Sequence, residues 1–81
     1  MIERIRSVLD SVGNLPRRAA EIDIRDDLYE AGLTSFASVQ LMLALEEAFD
    51  VEFPERMLTR RTFASIDAMA RCLGDLAAEK V

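Results

Sequence analysis

A chain of 81 residues, 51% hydrophobic and 31% charged with three Gly and two Pro, has the composition of one small globular domain, whose core supports roughly a few kcal/mol of stability and leaves little chain to line a deep active site. Its formal charge of -5 argues against partnership with nucleic acid or anionic membrane surfaces, because a phosphate backbone is bound by clustered Lys and Arg that displace counterions. The absence of histidine removes Ser-His triads and His-ligated metal sites.

The N-terminal run Met1-Ile2-Glu3-Arg4 lacks the basic start and apolar stretch of a secretion signal, and no apolar run reaches the ~18 residues that span a bilayer. A cytoplasmic protein is the expectation. Ile2, Ile5, Val8, Leu9 and Val12 fall on one stripe at helical spacing, which predicts a first helix over 2–12. Gly13 is expected to supply its left-handed cap, with Pro16 unable to continue the helix. From 14 to 34 periodicity is lost, while Ile22, Ile24, Leu28 and Leu33 recur among acids, the pattern of a long loop pinned by apolar anchors. So long a stretch should hold a short turn around 26–30 or serve a function. Its acids do not make a calcium loop, since the Asp/Asn alternation and central glycine are missing.

Thr34 or Ser35 is a good N-cap for a central helix over 36–50, where helix formers run without Gly or Pro. Pro54 suits the first turn of a short helix over 55–60. Ser65 can cap a last helix in which Ile66, Met69, Ala70, Leu73, Leu76 and Ala77 share a face. Cys72, the single cysteine, lies in that helix as a packed or half-exposed thiol with no histidine to activate it. The predicted architecture is therefore all-α: a four-helix bundle of three main helices, one short helix and a long first loop, in one domain over 1–81.

Advancing about 100° per residue, the central helix gathers Leu41, Met42, Leu45, Ala48 and Phe49 on a core face. Phe36, Val39 and Leu43 form a second apolar stripe on roughly the opposite side, flanked by Gln40 and Glu47. Either the short helix covers that stripe, or it stays open as a docking surface. Ser35, read from the residues alone, is a cap or a site. A hydroxyl at a helix N-terminus is well placed to bear a phosphodiester, which free N–H groups and the positive dipole end favour, and Gly32 permits a tight turn that keeps it exposed.

The run Asp27-Leu28-Tyr29-Glu30-Ala31-Gly32-Leu33-Thr34-Ser35-Phe36, with the continuation from Val39 through Leu45 to Pro54, closely resembles the acyl carrier protein family, and the helix count and long first loop extend the resemblance over nearly the whole chain. In that family a Gly-x-Asp-Ser-Leu motif opens the second helix and its serine receives the prosthetic arm. The matching residue is Ser35. Ser38 matches a position that is not modified, and Ser65 the start of the last helix. Thr34 stands where the family usually has aspartate and Phe36 where it has leucine, while Ala37 and Gln40 occupy positions that are commonly acidic. Losing three acids weakens steering toward the Lys- and Arg-bearing enzymes of fatty-acid synthesis, and Arg56, Arg60 and Arg61 neutralise the short-helix region further. Within the family, the segments Ala-Gly-Leu-Thr-Ser-Phe-Ala-Ser-Val-Gln-Leu-Met-Leu and Arg-Arg-Thr-Phe-Ala-Ser-Ile are most similar to stand-alone bacterial aminoacyl carrier proteins.

The resemblance implies a carrier rather than an enzyme. Its cofactor would be 4'-phosphopantetheine, transferred from coenzyme A to Ser35 by a phosphopantetheinyl transferase. An amino acid:carrier protein ligase similar to a truncated seryl-tRNA synthetase, or another acyl ligase, would load the arm, and a downstream acyl or aminoacyl transferase would unload it. The expected docking residues are Phe36, Ala37, Val39, Gln40, Leu43, Glu46 and Glu47. A monomer is expected, with no metal. Two other readings stand beside this one: a fatty-acid or polyketide carrier, and an unmodified helical adaptor in which Ser35 is only a cap.

Overall fold

Ile5 and Leu9 point the same way from the first helix, one turn apart, and neither keeps any appreciable contact with solvent. They seed the core of a computed structural model that describes residues 1–79. Three α-helices carry it: α1 (Ile2–Val12), α2 (Ser35–Phe49) and α3 (Ile66–Glu79), with 3₁₀ turns at Ala19–Glu21 and Glu55–Met57. There is no strand among the described residues. α1 packs against both α2 and α3, and Leu41 and Leu45 of α2 meet Ile66, Met69 and Leu73 of α3 in one buried cluster. Full burial of each such side chain contributes about 1.5–3 kcal/mol. Ala77, expected on the buried face of the last helix, lies exposed. No described helix is long and apolar enough to cross a membrane.

Gly13 does not provide the left-handed cap. Its φ is -71°, and Asn14 takes the positive φ of 53°, a conformation asparagine tolerates better than most residues. Gly13 is required for space instead, since a Cβ there would stand 2.6 Å from the Leu9 carbonyl oxygen and 2.8 Å from the Leu9 Cδ1.

The loop of 14–34 is anchored by its apolar residues, Ile22, Leu28 and Leu33 all being buried. Polar side chains of α1 anchor it as well. The Arg6 guanidinium donates to the carbonyls of Ala19 and, at 2.7 Å, Ile22, and the Asp10 carboxylate accepts the Ala19 N–H at 2.8 Å. Those bonds hold the first 3₁₀ turn, whose existence apolar periodicity could not signal. Downstream, the Leu28 N–H donates to the Ala64 carbonyl (2.7 Å) and the Asp67 N–H to the Ile24 carbonyl (2.8 Å), so the loop is tied to the start of α3. Asp27 accepts the Tyr29 N–H at 2.9 Å, an Asx-type turn. Gly32 follows with φ 118°, a conformation open only to glycine at low cost.

The short helix expected over 55–60 is shorter, a single 3₁₀ turn over Glu55–Met57. Leu58 leaves helical geometry with ψ 64°, and Thr59 then organises a separate turn: its carbonyl accepts the Thr62 N–H at 3.2 Å and its hydroxyl lies 3.3 Å from that of Thr62. Hydroxyl side chains that bond nearby backbone compete with helix. Phe53 and Phe63 close this segment onto the core, edge to face with ring centres 5.4 Å apart.

Candidate functional site

The start of α2 resolves which hydroxyl caps it. Thr34 holds extended dihedrals and its Oγ1 accepts the Ala37 N–H at 3.0 Å, as an N-cap does. Ser35 is the first helical residue. Its side chain is exposed, and it is the Ser35 carbonyl, not the hydroxyl, that accepts a bond from the Ser38 hydroxyl at 2.7 Å. Thr34→Ala should therefore destabilise the fold by about 0.5–2 kcal/mol, read as a lowered thermal midpoint that Thr34→Ser restores. An equal midpoint in Thr34→Ala would show that the cap carries no weight.

Gly32 and the Asx turn set the entry angle. The Leu33 N–H returns to the Leu28 carbonyl at 2.9 Å, and with Leu33 buried the chain is fastened to the core just before it enters α2. Ser35 thus presents its Oγ from a rigid corner, at the end of a helix whose first N–H groups have no intrahelical partner and whose dipole is positive.

The second stripe of α2 is open. Phe36 is 75% exposed, Val39 51% and Leu43 50%, and the 3₁₀ turn does not cover them. Gln40 and Glu47 are exposed beside them. Two residues counted with that face belong elsewhere. Ala37 is only 5% exposed, because it lies four residues before Leu41 and eight before Leu45, on the core face. Glu46 is half-buried, and its carboxylate accepts the Phe53 N–H at 2.8 Å, so it fastens the chain leaving α2 and does not stand free at a rim.

Ser35 also borders an open groove of about 460 Å³. Val39 and Met42 wall it on the α2 side, Leu58 and Phe63 on the other. Tyr29 and Arg60 complete it, with the Arg60 guanidinium 3.8 Å from the centre of the Tyr29 ring, a stacked cation–π contact. Their pairing has no signal in the sequence, where Arg60 counts only as one of the charges neutralising the short-helix region, since the two are remote along the chain and meet only when loop and α3 approach are folded. Nothing in the site forms a nucleophile–base pair, and no group of three or more His, Cys, Asp or Glu among the described residues could hold a metal.

A chain with this geometry matches known proteins over most of its length. The family model described as "Phosphopantetheine attachment site" matches residues 3–73. An aminoacyl carrier protein of Agrobacterium fabrum (strain C58) is 57% identical over 65 residues, covering 80% of this chain and 78% of that protein. Among solved structures, a crystal structure of engineered Bradyrhizobium japonicum glycine:[carrier protein] ligase complexed with carrier protein from Agrobacterium tumefaciens and AMP superposes with a TM-score of 0.89 at 51% identity, over 91% of this chain and 99% of the matched chain. A crystal structure of the Bradyrhizobium japonicum ligase complexed with glycylated carrier protein follows with a TM-score of 0.75 at 30% identity, over 88% of this chain and 95% of the matched one.

Proposed function

This chain belongs to the phosphopantetheine attachment-site family, and we propose from that premise that Ser35 is its attachment point and that an amino acid:carrier protein ligase loads it from the open side of α2. Members of the family carry covalent 4'-phosphopantetheine and convey substrates rather than transform them, so the chain, an aminoacyl carrier protein homologue, is not an enzyme. The fatty-acid, polyketide and unmodified-adaptor readings give way to the aminoacyl one on its 57% identity to an aminoacyl carrier protein. A single observation supports the choice of Ser35: its hydroxyl is exposed at the start of α2 while Thr34 does the capping.

The residues around Ser35 fit the group. Ser35 Oγ attacks the phosphorus of coenzyme A that bears pantetheine. An Oγ–P bond forms, the P–O bond to the adenosine portion breaks, adenosine 3',5'-bisphosphate leaves, and the hydroxyl proton passes to the transferase or to solvent. With the Ala37 N–H taken by Thr34, the Ser35 and Phe36 N–H groups at the positive end of the helix dipole would face the phosphodiester anion once it is formed. When attached, the group supplies a terminal thiol on which an acyl unit is held as a thioester. Tethering raises the local concentration of that cargo to about millimolar at a partner's active site.

Relatives seen with glycine:[carrier protein] ligases support a seryl-tRNA-synthetase-like ligase as the loading partner and glycine or another small amino acid as cargo, passed on to a downstream aminoacyl transferase. The whole of 1–81 acts as one carrier domain in the cytoplasm, where coenzyme A and ATP are at hand. Docking centres on Phe36, Val39 and Leu43, with Gln40 and Glu47 at the rim. Exposed aromatic anchors of this kind dominate small interfaces, and Phe36→Ala should lower the ligase's kcat/KM for the modified carrier by roughly 10- to 30-fold with an unchanged thermal midpoint. Equal loading of Phe36→Ala and wild type would move the docking surface elsewhere.

Two mass steps test the function. Coenzyme A with a broad-specificity phosphopantetheinyl transferase should add one phosphopantetheine, and the ligase with ATP and glycine or alanine should then add one aminoacyl group. Failure of the second step alone would refute the aminoacyl cargo, and failure of the first would refute the carrier role.

A further inference from the structure

From Arg56 to Ile66 the chain holds three arginines and no acid, a local +3 in a molecule whose formal charge is -5. Arg56 is matched by Glu79 at 3.1 Å. Arg60 and Arg61 are exposed and enter no ion pair among the described residues. The Tyr29 ring already orients the Arg60 guanidinium, so a carboxylate that meets it orders little further side-chain freedom. Leu58, 47% exposed, precedes the two cations in sequence and stands across the groove from Val39 and Met42 of α2. The apolar stripe of α2 therefore continues over that groove to an open apolar side chain followed by two unmatched positive charges.

We propose that Leu58, Arg60 and Arg61 form a second docking element for the loading ligase, in which the two guanidinium groups meet carboxylates on the ligase's rim and fix the rotation of the carrier about the α2 axis. The proposal rests on the ligase docking over Phe36, Val39 and Leu43. Those residues are seven positions apart from first to last on one helix, about 10 Å along its axis, and a line of contacts that short leaves the carrier free to roll about the helix. Contact off the axis removes the roll, and with it the sweep of a group held on Ser35 away from the ligase's active site. Charge decides the chemistry of the partner surface. Arg60 and Arg61 steer toward carboxylates and repel a rim of Lys and Arg, so the element admits an acidic partner and turns away enzymes built to read an acidic carrier.

The experiment measures steady-state loading by the ligase with ATP and glycine, on modified carriers each verified by intact mass, at low salt and at about 0.5 M NaCl, where exposed charges are screened within a few ångströms. Arg60→Gln/Arg61→Gln should lower kcat/KM at low salt by roughly 2- to 30-fold, the ratio expected on losing two exposed charge pairs, and high salt should bring wild type down to the variant. Arg60→Lys/Arg61→Lys keeps both charges and should retain most of the wild-type value. Arg61→Glu, at an exposed position away from the Tyr29 contact, should lower kcat/KM at low salt with an unchanged thermal midpoint, which separates docking from folding. Equal kcat/KM for wild type, the Gln pair and Arg61→Glu at low salt would overturn the second docking element while leaving Ser35 and the α2 stripe in place, and so would a deficit that salt does not close. No loading of modified wild type would overturn the ligase reading and this proposal with it.

Discussion

Ser35→Ala should gain no mass from coenzyme A in the presence of a broad-specificity phosphopantetheinyl transferase, and aminoacyl loading of that variant should fall to background. The loss is complete because no neighbouring hydroxyl can substitute. Thr34 spends its oxygen on the Ala37 N–H, Ser38 is half-buried and donates to the Ser35 carbonyl, and Ser65 accepts the Ala68 N–H at 3.0 Å as the cap of α3. The fold is untouched by the change. The cap belongs to Thr34, the Ser35 carbonyl that Ser38 uses remains, and alanine is the best helix former, so the thermal midpoint should reflect no more than about 0.5 kcal/mol, as for other surface substitutions. Intact-protein mass and thermal unfolding on the same preparations check both halves. A wild-type mass gain in Ser35→Ala would place the arm on another residue.

Which of the two hydroxyls caps α2 was not legible in the sequence, where Thr34 and Ser35 are equally good caps. What decides it is the entry angle of the chain, set by Gly32 at positive φ and by Leu33 returning to Leu28. Elements governed by local periodicity were readable. α1 runs over Ile2–Val12 as its apolar stripe predicts, and α3 begins after Ser65. Ser35 as the proposed attachment point came from the family resemblance, since spacing alone could not single it out. Features built from remote residues were hidden. Arg6 and Asp10 lie between the apolar positions of the α1 stripe, where periodicity assigns them no role, yet they hold the first 3₁₀ turn in place. The groove needs Tyr29 and Arg60 together, and no window of sequence contains both. Glu46 looked like a rim acid until the chain after α2 folded back to give it the Phe53 N–H.

Leu45→Ala should cost about 2–5 kcal/mol, the transfer energy of the lost methyl groups plus the cavity left behind. Leu45 is fully buried in the core cluster to which α1, α2 and α3 all contribute, where neighbours from three helices cannot all collapse into the space. In a domain of this size each kcal/mol moves the midpoint by roughly 4–8 °C, so the variant should melt at least about 8 °C lower in a circular-dichroism scan. Loading should fail near the new midpoint and recover on cooling, because the proposed docking face is restored whenever the chain refolds. Leu43, only two residues away, gives the opposite result. It sits about 200° around the helix and is half exposed, so Leu43→Ala should leave the midpoint within about 0.5 kcal/mol of wild type while lowering loading at every temperature. The two leucines then divide one helix into a face that holds the fold and a face that meets the ligase. Equal melting losses in both variants would show that the outer stripe is packed in solution, and the docking surface would be gone with it.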